Sequence, residues 1–120
     1  MDEAASKALT EDRLIDITTT GRKSGEARRI EIWFHNIDGE IYITGQPGRR
    51  SWYANLVAGP DFTLHLKQSA QADLAARATP IRDEATRREV LSKVIAKLDG
   101  DQDLDKWMAG SPLVAVEFVD

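Results

Sequence analysis

From residue 13 to residue 45 the chain alternates apolar and polar side chains on both sides of two turn signals, which commits that third of the molecule to β-structure. Leu14, Ile15, Asp16 and Ile17 open a first strand over 13–20. Ile30, Ile32 and Phe34 then alternate with Glu31, Trp33 and His35 along a second strand that ends near 37. Asp38-Gly39 is a strong hairpin signal, and 40–44 forms a third strand. The turn between the first two strands is bracketed by Gly21 and Gly25, both free to take positive φ. Two turns joining three alternating runs predict a continuous antiparallel meander.

The remaining chain extends this sheet. Residues 51–58 read as a short helix, with Ser51 as its N-cap and Gly59-Pro60 as its stop. Phe62, Leu64 and Leu66 face inward on a fourth strand, leaving Thr63, His65 and Lys67 outward. A fifth, alanine-rich strand covers 72–82. Asp83 opens the one long helix, in which Arg87, Leu91, Val94, Ile95 and Leu98 repeat at helical spacing before Gly100. Residues 101–108 add a turn of helix, with Trp107 and Met108 as core or lid, and 113–118 form the last strand. Residues 1–12 are a short helix or a tail ahead of a single domain over 13–120. The fold class expected is mainly β (α+β): a six-stranded antiparallel split β-barrel, with a short helix after strand 3 and a longer one before the last strand. The βαβ rhythm of a parallel nucleotide-binding sheet is absent, as are a GxGxxG, a Walker loop and a nucleophile elbow.

Composition narrows the function classes. A chain of 120 residues with net charge −4 disfavours general nucleic-acid binding, so any anion recognition is local. With no cysteine there are no disulfides, thiolate nucleophiles or Cys-ligated metals, and His35 and His65 alone make a zinc site unexpected. No run approaches the roughly 20 apolar residues of a membrane-spanning helix, and the acidic start is unlike a signal peptide. A cytoplasmic location is the expectation.

Against that acidic background the first turn is basic. Arg22, Lys23, Arg28 and Arg29 fall within eight positions, beside the hydroxyls of Thr20 and Ser24 and the backbone amides of the Gly21–Gly25 loop. Cations, hydroxyls and amides in one loop make an anion cradle, although a basic hairpin tip can also be merely solvated. Gly45-Gln46-Pro47-Gly48 allows backbone to approach a ligand closely, or serves as a plain loop. Trp52, Asn55 and Leu56 share one face of the following helix: the indole and carboxamide meet a ligand there, or the face anchors the helix to the sheet.

The run Thr18-Thr19-Thr20-Gly21-Arg22-Lys23-Ser24-Gly25, with Trp52-Tyr53-Ala54-Asn55-Leu56 downstream and Gly110-Ser111-Pro112-Leu113-Val114 near the end, resembles the deazaflavin-dependent nitroreductase family. These are split β-barrel, FMN-binding-like oxidoreductases related in fold to the pyridoxamine-phosphate oxidases, and the resemblance runs from about Arg13 to Phe118. It implies coenzyme F(420), an 8-hydroxy-5-deazaflavin whose tail carries a phosphodiester and glutamates. By resemblance, Thr20, Gly21, Arg22, Lys23 and Ser24 form the phosphate site, and Arg28 or Arg29 assists with the tail carboxylates. Adjacent strand residues point to opposite faces, so only one of that pair can serve. Trp52 and Asn55 are implied along the ribityl–phosphate region, and Gly45, Gln46, Pro47 and Gly48 along the deazaflavin ring.

The implied activity is hydride transfer from reduced F(420) to a small organic acceptor such as a quinone or nitroaromatic. The cofactor does the hydride chemistry, and no catalytic side chain is assigned. Better-known members line their substrate pocket with tyrosines in the last third of the chain; here the only tyrosines are Tyr42 and Tyr53. FMN in the same fold is the alternative cofactor, and a non-catalytic flavin or deazaflavin carrier the alternative function. The protein is expected as a monomer or homodimer, without a metal.

Overall fold

A computed structural model describes residues 1–98 and 100–119. Helix α1 (Glu3–Glu11) occupies the stretch that reads as helix or tail, capped by the Asp2 carboxylate, which accepts from the Ala5 amide at 2.7 Å. There follow β1 (Leu14–Thr20), β2 (Ala27–Trp33), β3 (His35–Ile37), β4 (Glu40–Thr44), α2 (Ser51–Ala58), β5 (Asp61–Leu66), β6 (Ala72–Pro80), α3 (Glu84–Ala96), α4 (Leu104–Gly110) and β7 (Leu113–Phe118). All strand pairs are antiparallel, in the order β2-β1-β5-β6-β7-β4-β3.

The sheet has seven strands where six are expected, because the second one divides at Phe34. Its sequence contains the reason. Phe34, at an even position, is buried and Ile32 is half-buried, while Ile30, expected inward with them, is 37% exposed on the edge strand; the next buried residue is Ile37, at an odd position. One face cannot hold both parities on a straight strand, so the chain kinks where the inward set changes. Phe34 is buried at the kink and its amide donates to the Arg13 carbonyl. Each half then takes a different partner: β2 pairs with β1 at one edge of the sheet, and β3 with β4 at the other. The chain through Phe34 thereby curls the sheet toward a half-barrel, and the meander is a pair of hairpins joined at a bend.

Three smaller expectations change. Ser51 is the first residue of α2 and Arg50 holds the cap position, with no side-chain cap bond. His65 is buried, because Thr18 Oγ and the Asp73 carboxylate on the flanking strands close over its ring at 2.7 and 2.6 Å. Gly25 takes the left-handed conformation at φ 72°, whereas Gly21 does not. Gly21 is needed for space: a Cβ there would stand 2.7 Å from Ser24 Oγ and 3.3 Å from the Glu26 carbonyl. The Asp38-Gly39 turn forms as read, with both φ values positive.

Burial divides into two clusters. Ile15, Ile17, Leu64, Ile43 and Val114 on the sheet meet Ala5, Ala8 and Leu9 of α1 and Trp52 and Leu56 of α2. Val90, Leu91 and Val94 of α3 pack with Trp107, Ile37 and Leu113. Although α2 and α4 belong to different clusters, Ser51, Tyr53 and Ala54 of α2 and Met108 to Gly110 of α4 border one cleft together with Arg22 of the basic turn.

Candidate functional site

The turn after β1 is held by one buried carboxamide. Asn55 Oδ1 accepts from both the amide and Nη1 of Arg22, each at 3.1 Å, and Asn55 Nδ2 donates to Thr19 Oγ1 at 3.2 Å. Helix α2 therefore fixes the position of the Arg22 backbone and draws its guanidinium inward. Ser24 Oγ accepts from the Glu26 amide, and the Gly21 amide donates to the Glu26 carbonyl at 2.8 Å, closing the loop. Beside it lies a recess of about 370 Å³, bounded by Gly21, Arg22, Lys23, Ser24, Trp52 and Asn55, together with Thr19, Arg28, Ile30 and Ser51.

The register of β2 settles which arginine joins this recess. Arg28 stands opposite buried Thr19 and shares its face, while Arg29 is on the other face, bonded to Asp16 at 3.0 Å. Asp16 also accepts from Lys67, and these two partners hold its carboxyl below the usual carboxylate range.

Arg22 and Ser51 also border a second, larger cleft of about 870 Å³, which makes the two spaces neighbours. Its walls are Gly48, Arg49 and Arg50 from the loop before α2, Tyr53 and Ala54 from α2, Ile81, Arg82 and Arg87, and the run from Met108 to Pro112. Arg50 folds back on its own loop, donating to the Gln46 and Arg49 carbonyls. Gly48 sits at φ 137°, a conformation that favours glycine, and a Cβ there would meet Arg50 Nη1 at 2.8 Å and displace that guanidinium. Its amide donates to the Gly110 carbonyl at 3.0 Å, tying this loop to the end of α4. Arg87 ties the opposite wall, donating to the Ile81, Trp107, Met108 and Ser111 carbonyls. Ser111 Oγ is the one buried side-chain oxygen among the described residues without a hydrogen-bond partner.

The expected residues are thus sorted by geometry. Gly21, Arg22, Lys23, Ser24, Trp52 and Asn55 converge on the smaller recess, and Gly48 lines the larger cleft. Thr20 is exposed at the strand end, and Gly45, Gln46 and Pro47 lie outside both linings, with Pro47 packed against Gly110. Thr19 and Ser111 stand inside the runs that carry the family resemblance and Arg87 inside a helical stripe, but none of these, nor Arg82, is singled out for the site by sequence. Each is paired with, or placed beside, residues distant in the chain. Met108, expected as core or lid, borders the cleft, whereas Trp107 is core.

The described residues contain no group of three or more His, Asp or Glu able to hold a metal. No described helix is long and apolar enough to cross a membrane.

A curled antiparallel half-barrel with a cationic recess beside an arginine-rimmed cleft places the chain among split-barrel-like proteins. Over residues 4–109 the chain matches the family model of F(420)H(2)-dependent quinone reductase, and it belongs to that family. It is accordingly an oxidoreductase that depends on reduced F(420). The fold is shared with a candidate 5-nitroimidazole antibiotic resistance protein from Bacteroides thetaiotaomicron (11% identity, 99% of this chain and 81% of that one, TM-score 0.73). It is shared too with a conserved hypothetical protein from Mycobacterium tuberculosis (20%, 96% and 79%, TM-score 0.70). A FAD-binding protein from Mesorhizobium loti is similar over 100% of this chain and 91% of its own (16% identity, TM-score 0.67).

Proposed function

We propose that the chain reduces a quinone, holding the phosphodiester of F(420) in the recess beside Arg22 and presenting the deazaflavin ring and the acceptor in the adjoining cleft. The observation that carries this reading is the junction itself: Arg22 and Ser51 border both spaces. Arg22, Lys23 and Arg28 surround the smaller one, in a chain of net charge −4. Glycine at 21 and 48 leaves bare backbone at the edges of the two spaces, which suits close contact with a flat or anionic group.

Reduced F(420) supplies a hydride, which a quinone accepts together with one proton to become the hydroquinone. The protein binds, orients and screens. Asn55 keeps Arg22 in place, Trp52 walls the recess, and the Gly48–Gly110 and Arg87 ties keep the two sides of the cleft at fixed spacing.

The test is a fluorescence titration of F(420) and of FMN into wild type and an Arg22→Ala/Lys23→Ala variant at two salt concentrations. Removing charge-assisted phosphate contacts is expected to weaken F(420) binding about 10- to 150-fold. Wild-type affinity for F(420) should fall more steeply with salt than that for FMN, because its tail engages more charges. Unchanged F(420) binding by the double variant would overturn the tail assignment, and tighter FMN binding at both salts would reassign the cofactor.

A further inference from the structure

We propose that the acceptor carries an anionic substituent, a carboxylate or sulfonate, and that Arg82 is the residue that selects it. The inference rests on the quinone reading above and concerns the end of the cleft away from the basic turn. The cleft is bordered by Arg22, Arg49, Arg50, Arg82 and Arg87, with no acidic residue in its wall. Most of these cations are already engaged. Arg22 is bonded to Asn55, Arg50 to its own loop, and Arg87 to a ring of carbonyls. Arg49 and Arg82 are exposed, and neither guanidinium has an ion-pair or hydrogen-bond partner among the described residues; of the two, only Arg82 also borders the groove that adjoins this cleft.

Its backbone, by contrast, is pinned on both sides. The Ile81 amide donates to the Leu113 carbonyl at 3.0 Å, and Asp83 caps α3 through Thr86 at 2.9 Å. That cap also explains why the neighbouring Asp83 does not neutralise Arg82: the carboxylate accepts from both the amide and the hydroxyl of Thr86. Beyond Arg82 the cleft continues into a groove of about 390 Å³ bordered by Arg87, Arg88, Met108 and Ala109 with Glu84 and Asp105. Asp105 faces Arg88 at 3.8 Å, which leaves Arg82 as the cation at the junction. A fixed anchor bearing an unpaired guanidinium, next to apolar Met108 and Ala109, matches a flat molecule with one charged edge. The F(420) tail would find its own cations at the opposite end, beside Arg22 and Lys23.

The experiment compares wild type, Arg82→Gln and Arg82→Lys with two acceptors, neutral menadione and 1,4-naphthoquinone-2-sulfonate. We expect kcat/KM of Arg82→Gln to fall about ten-fold for the sulfonate and to hold for menadione, with Arg82→Lys in between. Binding of the sulfonate to the complex with oxidised F(420), followed calorimetrically, should weaken by the same factor whether or not turnover occurs. Equal effects on both acceptors, or unchanged sulfonate binding, would overturn the proposal. A loss of F(420) affinity in Arg82→Gln would overturn it too, by giving Arg82 to the cofactor. If sulfonate binding depends on Arg82 but neither quinone is reduced, the anion site stands and the quinone reading fails.

Discussion

Asn55 shows how one side chain organises a loop it does not belong to. Three hydrogen bonds leave its carboxamide, two to Arg22 and one to Thr19. In Asn55→Ala the Arg22 amide and Thr19 hydroxyl lose partners in a buried setting, a loss of about 1–3 kcal/mol. Urea unfolding should report that destabilisation, and F(420) affinity should fall with it because the Arg22 guanidinium is released. Retained affinity in a destabilised Asn55→Ala would mean that Arg22 needs no positioning. The sequence placed Asn55 and Trp52 on one face beside a ligand. That they share a face was legible from spacing, but the role of the carboxamide was not, because its partners lie 33 and 36 residues earlier. No local pattern encodes so distant a contact.

Helix α4 illustrates the same limit among elements. A turn of helix near 101–108 was readable, and Asp103 does cap it through the Asp105 and Lys106 amides. Its attachment depends instead on Arg87 of α3, whose Nη2 accounts for contacts with the Trp107, Met108 and Ser111 carbonyls. Arg87 sits at helical spacing with Leu91 and Val94, so periodicity alone made it one more member of a packed stripe. Arg87→Met keeps the aliphatic stem but strands those carbonyls, and should lower stability by about 2 kcal/mol. A urea midpoint unchanged from wild type would show α4 to be held by Trp107 and its apolar neighbours alone. Strand existence, by contrast, was legible nearly everywhere, since period-two alternation needs no knowledge of the partner. The split at Phe34 was written there too, in the change of parity between Phe34 and Ile37, but an unbroken run of β-formers masked it.

At the scale of the molecule, the bend brings three segments together around His35. A recess of about 350 Å³ gathers Thr10 to Arg13 at and after the end of α1, Trp33 to Asn36 at the bend, and Lys97 and Leu98 after α3. Burial, with the positive charges of Lys97 and Arg13, pushes the His35 pKa down from 6.5 to about 4. In the unfolded chain the imidazole returns to the ordinary value and binds its proton first as pH falls. Stability should therefore decline as pH drops from 6.5 toward 4, by at most about 3 kcal/mol and less for a ring that is only partly buried. Urea midpoints across that window should flatten in His35→Gln; an equally steep decline would assign the acid sensitivity elsewhere.

The kink at Phe34 also sets a problem of timing. On either side of it a hairpin can zip locally, β1 with β2 and β3 with β4. The two then belong at opposite edges of a sheet whose middle is the β5–β6 hairpin and β7, and the pairings of β1 with β5, β6 with β7 and β4 with β7 span long stretches of chain. Early hairpins cannot find those edges until the middle exists, so the local speed of each is wasted on the whole. Refolding is expected in milliseconds to seconds, the range of domains ruled by distant pairings. Stopped-flow fluorescence of Trp52, in a chain with Trp33 and Trp107 replaced by Phe, would time the moment when the curled sheet closes on α2, and with it the birth of the recess beside Arg22.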